Sequence, residues 1–135
     1  MSISYTGALT NVAFKKLLLT WREGDVVGYP EEPDSKDFQM WKVEVGPGGP
    51  PNVTIQNVAT LLYLGYDDTG VTTSKEPHAW IAVYDPETAT VGVKTLSNLA
   101  LDLPDGGSGT KVTLVPNAGN LTDQQKWTPS HDMLA

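Results

Sequence analysis

Residue types that could run acid, base or nucleophilic chemistry are sparse in this chain and poorly spaced for it. The two histidines, His78 and His131, stand in no nucleophile motif, and there is no cysteine. Glu31, Glu32, Asp34 and Asp37 crowd a single stretch, which fits a solvated acidic face better than an acid–base pair. Asp67-Asp68-Thr69-Gly70 lacks the alternating oxygen ligands of a calcium loop and reads as a hairpin turn. Gly106-Gly107-Ser108-Gly109-Thr110-Lys111 has the glycines of a phosphate loop without its Gly-Lys-Ser/Thr order, and a strand pattern follows it. Catalysis, a bound metal and a cofactor are therefore not expected. The distinctive chemistry is an amide two residues ahead of an indole, in Gln39-Met40-Trp41 and again in Gln125-Lys126-Trp127, with His78-Ala79-Trp80 between them.

The chain that must position these groups has 135 residues, enough for one domain with one core, and residues 1–135 are expected to form it. Without cysteines, stability has to come from packing and from the hydrogen-bond ladder. A formal charge of −7, with no basic cluster denser than Lys15-Lys16, would repel phosphate backbones, so nucleic acid is not an expected partner. No stretch reaches the roughly 18 apolar residues of a membrane-spanning helix, and Met1–Thr10 lacks the basic start and apolar run of a signal peptide. These features predict a soluble, cytoplasmic protein in which the sequons at Asn52 and Asn120 carry no glycan.

Apolar residues rarely recur at helical spacing, whereas short β-branched and aromatic runs alternate with turn residues throughout, so the chain reads as all-β. The candidate strands are Ile3–Leu9, Lys16–Trp21, Asp25–Tyr29, Phe38–Val45, Asn52–Asn57, Leu61–Tyr66, Gly70–Ser74, Ala79–Tyr84, Thr90–Thr95, Leu99–Leu103, Lys111–Val115 and Gln124–Thr128. Their order contains a repeat. Asn11-Val12-Ala13 before Leu17-Leu18-Leu19-Thr20-Trp21 recurs as Asn57-Val58-Ala59 before Leu61-Leu62-Tyr63-Leu64-Gly65-Tyr66, with a fainter third copy at Leu96–Leu103. The tryptophans that follow are 39 and 47 positions apart, the signature of supersecondary units that bury one another's apolar faces. Three degenerate four-strand repeats, at about 1–48, 49–87 and 88–130, predict a β-trefoil, because propellers need four or more blades.

The Gln-x-Trp triplets resemble the repeat signature of ricin-B-type (R-type) β-trefoil lectins, and the cysteine-free chain resembles the small cytoplasmic lectins of fungal fruiting bodies. This resemblance implies glycan or glycoprotein partners. It also implies a sugar held by an Asp on the second strand of a repeat, by a stacking ring, and by polar residues at the triplet. Asp102 falls at the Asp position of the third repeat, with Gln125 in its triplet and Asn117 and Asn120 in the loop between; Val115 stands where the ring is expected. The first repeat offers Tyr29 and Gln39, with Thr20 in place of the Asp. The second has Gly65 and His78, which suits a structural role. Each residue also has a packing reading: Asp102 as an acceptor beside the Gly-rich turn, Gln39 and Gln125 as hairpin braces, Tyr29 as a turn aromatic, Trp21 and Tyr66 as core or surface rings. A weak site would need several copies or a homodimer for avidity. The alternative is a β-trefoil protease inhibitor acting through an exposed loop such as Pro30–Lys36 or Lys75-Glu76-Pro77.

Overall fold

A computed structural model describes residues 3–134. Its strands are β1 (Ser4–Gly7), β2 (Leu9–Asn11), β3 (Leu17–Arg22), β4 (Asp25–Pro30), β5 (Trp41–Val45), β6 (Asn52–Asn57), β7 (Tyr63–Asp67), β8 (Gly70–Ser74), β9 (Trp80–Asp85), β10 (Thr90–Lys94), β11 (Leu99–Asp102), β12 (Thr110–Lys111), β13 (Thr113–Pro116) and β14 (Trp127–Pro129). The ladder β1-β5-β6-β9-β10-β14-β2 returns to its start, since β1 and β2 are one strand interrupted at Ala8. This closes an antiparallel barrel. The hairpins β3–β4, β7–β8 and β11–β13 stand on it, each joined through its first strand to the preceding barrel strand. Barrel strand, hairpin, barrel strand, repeated three times, is a β-trefoil. Among the described residues, no helix is long and apolar enough to cross a membrane.

Alternation along the barrel strands puts one face of each into a shared core, as in β6, where every second residue is buried. Trp41, Trp80 and Trp127 lie at equivalent points of that core with no exposed surface, packed with Leu19, Leu64 and Leu101. Each indole removes about 200 Å² from water, worth roughly 5 kcal/mol as an upper bound. Trp41 Nε1 donates to Leu19 O at 2.8 Å and Trp80 Nε1 to Leu64 O at 2.8 Å, whereas the buried Trp127 Nε1 has no partner.

The recurring Asn-Val-Ala has a definite job. Asn11 Oδ1 accepts from Ala13 N and Phe14 N at 3.0 and 3.1 Å, and Asn57 Oδ1 accepts from Ala59 N and Thr60 N at 3.2 and 3.1 Å. Their amide nitrogens donate to Gln124 O and Phe38 O, the residues just ahead of the two triplet glutamines. A buried Asn thus turns the chain out of the barrel and ties it to the triplet beside it. Thr95 makes the turn in the third copy, accepting from Ser97 N and Leu99 N, but has no amide for the tie.

Local expectations change at several points, beginning with two expected strands, Ile3–Leu9 and Lys111–Val115, which are interrupted at Ala8 and Val112. Phe38 and Gln39 end a 3-10 segment, Pro33–Gln39, and Gln124 and Gln125 lie in another, Asp123–Gln125, so the fourth strand of each repeat begins at its Trp. Pro33 starts the first segment and a Thr122–Gln125 capping box the second. Leu61 has a left-handed φ of 61°, which delays its strand to Tyr63. His131, near the end of the described residues, is held in place: its Nε2 lies 2.8 Å from Thr6 O and its ring packs on Tyr5. The segment around it is fastened by Ser4 N to Met133 O at 3.0 Å.

Candidate functional site

Trp-to-Leu bonds in the first two repeats, and core packing of Trp127 with Leu101 in the third, bring Thr20, Gly65 and Asp102, the residues after Leu19, Leu64 and Leu101, into a common frame, each facing the triplet residue two before Trp. In the first repeat the facing pair is consumed internally. Gln39 Nε2 donates to Thr20 Oγ1 at 3.1 Å and to Pro30 O at 2.8 Å, while its Oε1 accepts from Glu32 N at 2.7 Å. Thr20 Oγ1 donates to Leu18 O at 2.9 Å, and both residues are about 1% exposed. In the second repeat the His78 imidazole fills the space a side chain at 65 would occupy, and its Nδ1 accepts from Tyr66 N at 3.0 Å.

The third repeat differs. Gln125 Oε1 accepts from Asn117 Nδ2 at 2.6 Å and Thr122 N at 3.2 Å, which commits its carbonyl to the loop and leaves its Nε2 as the group facing Asp102. Asn117 Nδ2 also reaches Asn120 O at 3.0 Å, and Asn117 Oδ1 accepts from Gly119 N at 2.8 Å. Asn117 and Asn120 thereby shape a loop at the rim, with Asn120 exposed and Asn117 half-buried. Asp102 is 5% exposed, and burial pushes its carboxyl above the usual carboxylate range, only partly offset by the polar side chain of Gln125. No cation pairs with it among the described residues.

A second feature sits beside the β3–β4 hairpin: a cleft of about 210 Å³ lined by Trp21, Arg22, Glu23, Glu32, Ser35 and Phe38. Trp21 and Phe38 stack at 5.8 Å, with Phe38 exposed and Trp21 packed partly buried against the core, its Nε1 buried without a partner among the described residues. Tyr29 is covered instead: the Arg22 guanidinium lies 3.9 Å above its ring centre and is held there by Glu32 at 3.1 Å. Sequence reasoning missed Arg22 and Glu32, whose spacing of ten residues carries no motif. Thr20, Tyr29 and Gln39 are therefore brought together but occupied, whereas Asp102, Gln125 and Asn117 form one chain of contacts with Asn120 at its edge. Among the described residues, no cluster of three metal-ligating side chains occurs.

No protein-family model matches the chain, and no curated protein matches it in sequence. Solved structures match over nearly its full length. A ricin B-like lectin from Macrolepiota procera in complex with lactose superposes with a TM-score of 0.78 at 22% identity, covering 95% of this chain and 96% of that one. The Rhizoctonia solani agglutinin superposes with a TM-score of 0.78 at 25% identity, covering 93% and 94%. A designed threefold-symmetric protein gives 0.75 at 18% identity, covering 91% and 96%. The chain has the β-trefoil fold of ricin B-like proteins.

Proposed function

We propose that this protein is a lectin that binds glycans without transforming them, through a shallow site on the third repeat formed by Asp102, Gln125, Asn117 and Asn120. The observation that carries this reading is the carboxylate of Asp102. It is buried at a cost, it lacks a cation, and the one amide facing it is oriented by two further hydrogen bonds. A carboxylate so placed offers acceptors to which vicinal hydroxyls can each donate. The likeness to a lectin complexed with lactose supports the same class of ligand, and the two fungal likenesses support the finer reading of a small fungal lectin.

The inhibitor alternative is not favoured. Part of the Pro30–Lys36 loop is wound into the 3-10 segment, and Gln39 clamps it at Pro30 O and Glu32 N.

The test is a glycan array followed by calorimetry on the best ligand, with Asp102→Asn, Thr20→Ala and Tyr29→Ala compared, and a protease panel run beside them. Affinities between about millimolar and micromolar are expected for single sites. Loss of binding in Asp102→Asn alone supports the third-repeat site. Loss in Tyr29→Ala with Asp102→Asn unaffected moves the site to the first repeat, and inhibition of a protease with no glycan bound overturns the lectin reading.

A further inference from the structure

Two features that are far apart in the sequence meet at a second cleft, of about 330 Å³, lined by Phe14, Lys15, Lys16, Leu17, Pro30, Gly106 and Ser108. Lys15-Lys16 is the chain's one adjacent pair of cations, and neither lysine makes an ion pair among the described residues. The pair is presented by a fixed turn, with Asn11 Oδ1 holding Ala13 N and Phe14 N and Phe14 O accepting from Leu17 N at 2.9 Å. The fold does not ask for lysines there, because the matching turn of the second repeat carries Leu61 and Leu62. Across the cleft, the Gly106–Gly109 loop rests on the Phe14 ring so closely that a Cβ at Gly106 would stand 2.8 Å from Phe14 Cδ1. Within the described residues, Gly107 N and Ser108 N donate to no acceptor. Asp105, which holds Gly106 N, is the opposing charge on the loop.

We infer that this cleft is a second binding site, selective for saccharides bearing an anionic group. The half-buried Phe14 ring offers a face for sugar C–H groups, the two ammonium groups and the free amides receive a carboxylate or sulfate, and Ser108 adds a hydroxyl. The ligand class extends the lectin reading, but the residues are separate from Asp102, so the two can fail independently.

An amide-resolved NMR titration with glucuronate, glucose and inorganic sulfate tests the inference. Glucuronate is expected to shift Phe14, Lys15, Gly107 and Ser108, less so as salt is raised, while glucose leaves them still. Lys15→Gln/Lys16→Gln, two exposed changes, should weaken glucuronate by about tenfold, whereas Asp102→Asn should not alter it. Shifts unchanged in the double variant overturn the site. Inorganic sulfate binding there as tightly as glucuronate overturns the saccharide part, and glucose binding there equally well overturns the anion part.

Discussion

Replacing Asp102 with asparagine should make the protein more stable and less able to bind. Asn keeps an acceptor for Gln125 Nε2, whose position is fixed by the bonds from Asn117 and Thr122 to Oε1, and it removes a charge that is 5% exposed and has no cation. At pH 7 the gain should be about 1 kcal/mol, or roughly 4 °C in Tm for a chain of this size. The pH dependence follows from the raised carboxyl. The folded protein holds this proton more tightly than the unfolded chain does, so the destabilisation is absent below the ordinary value of 3.8, grows as pH rises from there to the raised value, and is constant above it. Thermal melts of both proteins from acid to neutral pH should therefore start together and separate. Glycan affinity should move the other way, by about 10- to 100-fold, because a hydrogen bond to a charged acceptor is worth about 1.5–3 kcal/mol. A variant that is less stable at pH 7, with a gap that does not change with pH, would show Asp102 to be a structural acceptor and remove the main support for the site.

The orphaned indole gives a differential test: Trp41→Phe should cost about 1 kcal/mol more than Trp127→Phe in urea unfolding, since only Trp41 loses a hydrogen bond, to Leu19 O. Equal costs would contradict the assigned bonding. Trp127→Ala should cost about 3–5 kcal/mol by the same assay, given its complete burial. Gly65→Ala should destabilise by about 1–3 kcal/mol because its methyl meets the His78 ring, and His78→Ala in the same chain should recover part of that loss.

The trefoil was legible because its evidence is local and repeated. Turn residues delimit each strand, and the Asn and Trp landmarks recur since each repeat must solve the same corner and fill the same third of the core. The triplet glutamines were harder. Whether Gln39 and Gln125 brace a hairpin or face a ligand depends on Thr20 and Asp102, nineteen and twenty-three residues away, and the structure finds Gln39 wholly committed. The strand pattern also ran through Phe38 and Gln124, because a short 3-10 turn leaves little periodicity to detect. Tyr29 kept its expected place but not its expected freedom, since the guanidinium that covers it comes from the paired strand.

The β14–β2 ladder joins Trp127 to Asn11 and Pro129 to Leu9. During synthesis the early strand cannot meet this partner until the residues through Pro129 have left the ribosome, a wait on the order of ten seconds at about 5–20 residues per second. For that interval β2 is an open edge next to an apolar stripe, the arrangement most apt to pair with a strand of another molecule. Nascent copies of this protein should therefore depend on chaperones far more than the finished barrel does, and a block that slows translation after residue 116 should raise aggregation without altering the stability of the molecules that escape it.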